Sequence, residues 1–255
     1  GAQIGDSTYL LWVHIVFMWI CATSFSLHWA VITGKPGKLW RNSEWRFFSG
    51  TLAISTLLVC ALLWATSDTS FTRALNDAAF MVVSTGTSTG LPLVDYERWV
   101  PAAQLILLLL MFMGGCAGST AGGMKVVRVQ LFLKHTLHSG LHTLHPGAVT
   151  APHLAGRPVS QQTMRSVFSF LGLFMIVFVA GTAAVSLITG MDILSSLSAS
   201  IGMLSSNGAG LEDVGPFDNY AWIAAPGKLV LTFLMVVGRL ELYTVLILFT
   251  PGFWR

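Results

Sequence analysis

Apolar residues in this chain come in long unbroken runs, without the 3.6-residue spacing of a helix that has one wet face. Residues 7–34, 47–67, 99–124 and 166–191 contain no Asp, Glu, Lys or Arg. Each run exceeds the ~20 residues that carry a helix across ~30 Å of hydrocarbon. A fifth run, 221–253, is interrupted by Lys228, Arg239 and Glu241. The pattern predicts an all-α integral membrane protein. Composition agrees: 54% of residues are hydrophobic and 10% charged, against the roughly one quarter charged that keeps a soluble domain in water. The first run is too long for a cleavable signal peptide and lacks a basic leader.

The charges sort by side of the membrane. Segments 35–46 and 125–165 hold Lys35, Lys38, Arg41, Arg46, Lys125, Arg128, Lys134, Arg157 and Arg165 against the single acid Glu44. The intervening segments carry Asp68, Asp77, Asp95, Glu97, Asp192, Glu212, Asp213 and Asp218 against Arg73, Arg98 and Lys228. The positive-inside rule makes the basic segments cytoplasmic, and an acidic outer face suits a mouth that collects cations. Trp64, Trp99 and Trp222 mark the outer interface, and Trp40, Trp45 and Trp254 the inner one. The basic residues form no patch or tail, so no nucleic-acid partner is expected. Cys21, Cys60 and Cys116 all fall within apolar runs and give no disulfide framework.

An internal repeat organises the chain. Residues 47–135 and 166–250 each show a long apolar helix, a short semi-polar segment ending in small residues, an acidic loop and a second apolar helix. Aligning Thr87-Ser88-Thr89-Gly90 with Ser205-Ser206-Asn207-Gly208 gives an offset of 208 − 90 = 118, which also brings Phe48 onto Ser166. Because both long helices of a unit end on the basic side, the middle segment starts and finishes on the acidic side. It is therefore read as re-entrant, a half-helix followed by returning chain. Such backbone is tolerated at membrane depth only where it lines a cavity.

Small polar residues there suit a cation. Backbone carbonyls replace a hydration shell without a fixed charge that would trap the ion. Glycine reaches the angles that aim successive carbonyls one way, and Thr87 and Thr89 add hydroxyls. A packing contact between membrane helices is the plain alternative. Gly86 to Gly90 also fits the G-x-S-x-G elbow of hydrolases, but that motif needs a strand before the serine, and the second copy has Leu204 in place of Gly86. An enzyme is rejected, and no organic cofactor is expected.

The returning helix of the first unit contains Gly114, Gly115, Gly118, Gly122 and Gly123 within ten residues. That density should break a helix inside the membrane, unless Gly114, Gly118 and Gly122 serve as a close-packing face. The offset sets Arg239 opposite Ala121 of this run. Arg239 lies thirteen residues after Pro226, about 20 Å down its helix, where an arginine is costly and functional by default. Its guanidinium is expected to donate to carbonyls of the glycine loop and to oppose cation passage, or else to pair with Glu241 or snorkel to the cytoplasmic interface.

At these residues the chain resembles the Trk/Ktr/HKT superfamily of potassium transporters, and within it the Trk membrane subunits. The resemblance is carried by residues 84–90, by 114–128, by His145-Pro146, by 156–159 and by Gly238-Arg239-Leu240-Glu241, with Ser24-Phe25 and Leu27-His28 as weaker anchors. Ala209 and Leu91 depart from the family pattern, which has proline and an aromatic there.

The resemblance implies four helix–pore-loop–helix units around one potassium path. This chain would supply two of them: residues 1–46 as the last helix of a preceding unit, 47–135 as the third unit, 136–164 as a cytoplasmic linker and 165–255 as the fourth. The potassium filter would comprise Thr87, Ser88, Thr89, Gly90, Ser205, Ser206, Asn207 and Gly208. A gating loop at 113–124 would involve Gly114, Gly115, Gly118, Ser119, Thr120, Gly122, Gly123 and Lys125, with Arg239 as the blocking charge. A homodimer in the bacterial inner membrane is implied, with a cytosolic nucleotide-binding regulatory ring of the TrkA kind on its basic face. Two loops cannot surround an ion, so the missing N-terminal pore units are expected elsewhere. The alternative is a non-conducting membrane scaffold with vestigial pore loops. His135, His138, His142 and His145 have helical spacing that would suit a metal or pH-sensing site, and are read as a solvated linker.

Overall fold

The computed structural model describes residues 7–144, 153–154, 157–250 and 253–254. Its elements are helical apart from one two-residue antiparallel ladder, β1 (His153–Leu154) with β2 (Arg157–Pro158). The helices are α1 (Thr8–Cys21), α2 (Phe25–Ile32), α3 (Gly37–Arg41), α4 (Ser43–Thr66), α5 (Phe71–Gly86), α6 (Pro101–Met113), α7 (Val126–Leu144), α8 (Gln161–Thr189), α9 (Ile193–Leu204), α10 (Ala225–Arg239) and α11 (Leu242–Ile247). Short 3₁₀ turns at Tyr96–Arg98 and Glu212–Val214 complete the outer loops.

Among the described residues two helices, α4 with 24 residues and α8 with 29, are long and apolar enough to cross a membrane. Residues such as Leu57, Ile176 and Leu187 stand exposed on their outer faces, where lipid is as apolar as the side chain. The two half-helices begin on side-chain caps, which satisfy N–H groups that have no partner within the helix. Ser70 Oγ accepts from Arg73 N at 3.4 Å, and Asp192 Oδ2 from Leu194 N at 3.2 Å.

Each unit has its own core. Leu52, Val59, Phe80, Val82, Ala103 and Leu107 join α4, α5 and α6, with α1 packed alongside. Phe174, Val185, Ile201, Leu204, Leu234 and Val237 join α8, α9 and α10. The seam between them includes Met111 and Phe112 of α6, whose ring meets Phe178 edge-on at 5.1 Å.

Residues 7–34 do not form the straight crossing their composition suggests. α1 and α2 meet at 102° across residues 22–24. The bend frees backbone groups that the glycine loop takes up. Cys116 N donates to Ala22 O at 3.0 Å, Phe25 N to Gly118 O at 3.0 Å, and Thr120 Oγ1 to Cys21 O at 3.1 Å. His145-Pro146 and Gly156 lie outside the described residues, as does the side chain of His142.

Candidate functional site: two matching turns and a glycine loop

α5 and α9 are buried through their last turns, from Ala78 to Gly86 and from Ser198 to Leu204, and the chain turns back directly after each. The two turns share one backbone hydrogen-bond pattern at the offset of 118. Thr87 N donates to Val83 O at 2.9 Å, as Ser205 N does to Ile201 O at 2.8 Å. Ser88 N bonds to Thr85 O, and Ser206 N to Met203 O. Thr89 and Gly90 N both reach Ser84 O, just as Asn207 and Gly208 N both reach Gly202 O. Ser88 (φ 55°) and Ser206 (φ 59°) are left-handed, as are Gly90 (φ 70°) and Gly208 (φ 91°). Left-handed non-glycine residues recur where backbone geometry serves a function.

The consequence is a row of available oxygens. Among the described residues, no hydrogen bond is made to the carbonyls of Thr87, Ser88, Thr89, Gly90, Ser205, Ser206 or Asn207. The buried hydroxyls of Ser88 and Ser206 and the Asn207 Oδ1 also have no partner. Buried polar atoms normally find one, so this concentration marks the place. The Thr87 and Thr89 hydroxyls bond each other at 2.7 Å. The two loops meet across the chain: a Cβ built on Gly90 would lie 1.7 Å from the Asn207 carbonyl oxygen.

One carbonyl behaves differently. Gly208 O accepts from the Tyr220 hydroxyl at 2.8 Å, and two residues on, Gly210 O accepts from Tyr96 at 2.6 Å. Both tyrosines were missed from sequence, because each brace is set by tertiary packing and does not follow the 118 offset. The G-x-S-x-G elbow is also absent as a structure: Ser88 follows a helix, not a strand.

Below these turns α6 stops at Met113 and helix resumes only at Val126. The chain between is closed on itself rather than forming a helical packing face. Met124 N donates to Phe112 O at 3.1 Å and Val126 N to Gly115 O at 3.0 Å. Gly114 (φ 67°) and Gly123 (φ 74°) face each other, and a Cβ on Gly114 would sit 2.1 Å from Gly122 O. Gly115 leaves room for Ala22 O, and Gly118 turns at φ 70°. Ser119 Oγ donates to Cys116 O at 2.6 Å. A Cβ on Gly122 would lie 2.1 Å from Ser205 O, so the loop touches the second of the two turns.

Gly238 lets α10 approach the end of α9, since a Cβ there would sit 1.9 Å from Leu204 O. The next residue, Arg239, thereby reaches the loop, and its Nη1 donates to Thr120 O at 2.6 Å. Lys125 Nζ donates to Ala121 O. Glu241 is not the partner of Arg239. It pairs with Arg128 at 2.9 Å, whose guanidinium lies 3.8 Å over the Phe170 ring. Residues 118–123, Lys125, Phe170, Gly238, Arg239 and Glu241 line a cavity of about 240 Å³.

A family described as "TrkH: Cation transport protein" matches residues 5–254. The chain is 34% identical to the Trk system potassium uptake protein TrkH of Salmonella typhimurium, over 100% of this chain and 53% of that protein. It is 31% identical to the Trk system potassium uptake protein TrkG of Escherichia coli, over 94% and 49% respectively. The crystal structure of the potassium transporter TrkH from Vibrio parahaemolyticus superposes with a TM-score of 0.91 at 34% identity, covering 98% of this chain and 54% of that one. The chain spans about half the length of the curated relatives it matches. It belongs to the TrkH family of cation transport proteins.

Proposed function

We propose that this chain supplies two of the four pore loops of a gated potassium-uptake path in the bacterial inner membrane. The observation that carries the reading is the pair of matching turns, 87–90 and 205–208, whose left-handed serines leave consecutive carbonyls without partners. Such oxygens replace the hydration shell of a bare cation. The relatives named as potassium uptake proteins supply the ion's identity. Potassium is the cargo, and Thr87, Ser88, Thr89, Gly90, Ser205, Ser206 and Asn207 offer it ligands. Gly208 adds its left-handed conformation and a carbonyl oxygen that the Tyr220 hydroxyl braces through one of its two lone pairs.

In this reading loop 113–124 is the gate. It lies against the second pore turn at Gly122, and Arg239 both fixes it and sets a positive charge in the path. A fixed cation repels a partly dehydrated one strongly where dielectric is low. The remaining two pore loops come from units outside this chain. The basic inner face accepts a cytosolic nucleotide-binding ring, and the assembly is a homodimer.

The test is growth at limiting potassium of a bacterium lacking its own uptake systems, supplied with the complete gene product. Growth and rubidium uptake are expected with the parent and lost with Gly90→Asp. A well-inserted parent that restores neither would overturn the reading in favour of a non-conducting scaffold.

A further inference from the structure

Glu44 is the one acid in the two basic segments, and its carboxylate turns inward to backbone N–H groups of the glycine loop at Ala117 and of the first turn of α7 at Val127, with Lys125 nearby. Its Oε1 accepts from Ala117 N at 2.6 Å, and that N–H has no other partner among the described residues. The carboxylate sits half-buried in the first turn of α4, where the positive end of the helix favours an anion. A solvated surface acid in a run of lysines and arginines would have no reason to turn inward.

The loop's hydrogen bonds divide it into two limbs. Residues 115–119 are tied down from outside the loop: Cys116 N to Ala22 O, Gly118 O to Phe25 N, and Ala117 N to the Glu44 side chain. The Cys116 side chain is fully buried among them. Residues 121–123 have fewer ties: Ala121 N donates to Ser119 Oγ at 3.4 Å, Ala121 O accepts from Lys125, and Gly122 lies close against the Ser205 carbonyl. Thr120 stands at the boundary, its hydroxyl on Cys21 O and its carbonyl on Arg239.

We propose that Glu44 is a positioning residue that clamps the 115–119 limb, so that opening is confined to residues 120–123. The inference rests on the reading of this loop as a gate. An amide donating to a carboxylate makes a charge-assisted bond, stronger than one to a neutral oxygen. Without it the Ala117 N–H is stranded, and the limb shifts toward water. Thr120 then moves away from the guanidinium that holds it. Glutamine offers the same acceptor oxygen, alanine offers none, and aspartate keeps the charge but falls a methylene short.

Two readouts test this on the complete gene product: basal potassium flux from reconstituted vesicles, and alkylation of Cys116 in a Cys21→Ser, Cys60→Ser background. Glu44→Ala is expected to raise both rates about tenfold, the worth of one charged hydrogen bond. Glu44→Gln, which keeps an acceptor but loses the charge, should fall between the parent and Glu44→Ala, at about threefold. Glu44→Asp should behave as Glu44→Ala, and stands in for it where alanine prevents insertion. Parental rates in both the alanine and aspartate variants would overturn the clamp, as would a Glu44→Gln variant as leaky as they are. If the parent carries no potassium while Cys116 shows the expected pattern, the transport reading fails and the clamp survives.

Discussion

The Arg239 guanidinium donates to the Thr120 carbonyl at 2.6 Å, so the last helix of one repeat holds the broken helix of the other. Two adjacent residues make this contact. Gly238 removes the side chain that would keep α10 off Leu204 O, and Arg239, last in its helix, then projects into the cavity beside the glycine loop. A membrane helix gives up about three turns of backbone bonds between Met113 and Val126. The loop recovers them from the α1–α2 bend, from Glu44 and from Arg239.

Arg239→Ala removes both the latch and the charge. A hydrogen bond to a charged group contributes about 1.5–3 kcal/mol, so the closed state should lose roughly tenfold or more in population. Basal potassium flux in reconstituted vesicles is expected to rise accordingly, with expression unchanged. Arg239→Lys keeps the charge but loses the planar fork and should fall between the two. Unchanged flux in the alanine variant would remove Arg239 from the gate.

Gly90 and Gly208 occupy equivalent places yet should tolerate alanine unequally. Both have positive φ. A Cβ on Gly90 would meet Asn207 O at 1.7 Å, whereas one on Gly208 meets nothing within 4 Å. Gly208→Ala therefore costs only backbone strain, about 1 kcal/mol for a left-handed residue. Gly90→Ala must displace the opposite pore turn. Uptake is expected to drop below about a tenth in Gly90→Ala and to persist at a reduced rate in Gly208→Ala. Equal effects would mean that the two turns do not meet as described.

The sequence revealed the repeat with unusual clarity, because the feature duplicated is a backbone shape that needs small residues. Ser88 and Ser206, aligned by the offset of 118, adopt φ values within a few degrees of each other. The glycine break was visible for the same reason. The α1–α2 bend was hidden, since Ala22-Thr23-Ser24 contains no proline or glycine and its cause is a loop some ninety residues later. Tyr96 and Tyr220 were hidden too. Glu44 did leave a signal, as a solitary acid among basic residues, and buried charge is the physical reason to look twice at such a residue.

Glu97 offers a pH test at the outer mouth. Burial, then the neighbouring Asp95 and Asp218, raise its pKa above the ordinary 4.5. The folded state therefore binds its proton more tightly than the unfolded state does. The resulting stability is fully present below pH 4.5 and is lost as pH rises through the higher native value. Glu97→Gln removes the repulsion, so it should hold or raise the melting temperature in detergent at neutral pH and flatten its decline with rising pH. A lower neutral melting temperature with an unaltered pH profile would show that the carboxylate is favourably paired.

Tyr96 links the units in the opposite direction from Arg239. Tyr96 is 2% exposed, and its hydroxyl, in the first repeat, donates at 2.6 Å to Gly210 O just beyond the matching turn of the second. Phenylalanine fills the same space, so Tyr96→Phe should insert and fold. It leaves Gly210 O without a donor in a buried site, a cost of about 1–3 kcal/mol that the backbone relieves by shifting. The neighbouring carbonyls of Ser206 and Asn207 would shift with it, and discrimination between ions of different radius depends on how firmly such oxygens are held. Competition of sodium against rubidium uptake measures this directly. Tyr96→Phe is expected to weaken the preference for the larger ion by about tenfold at parental abundance. A preserved preference would show that the pore turn holds its shape without the brace.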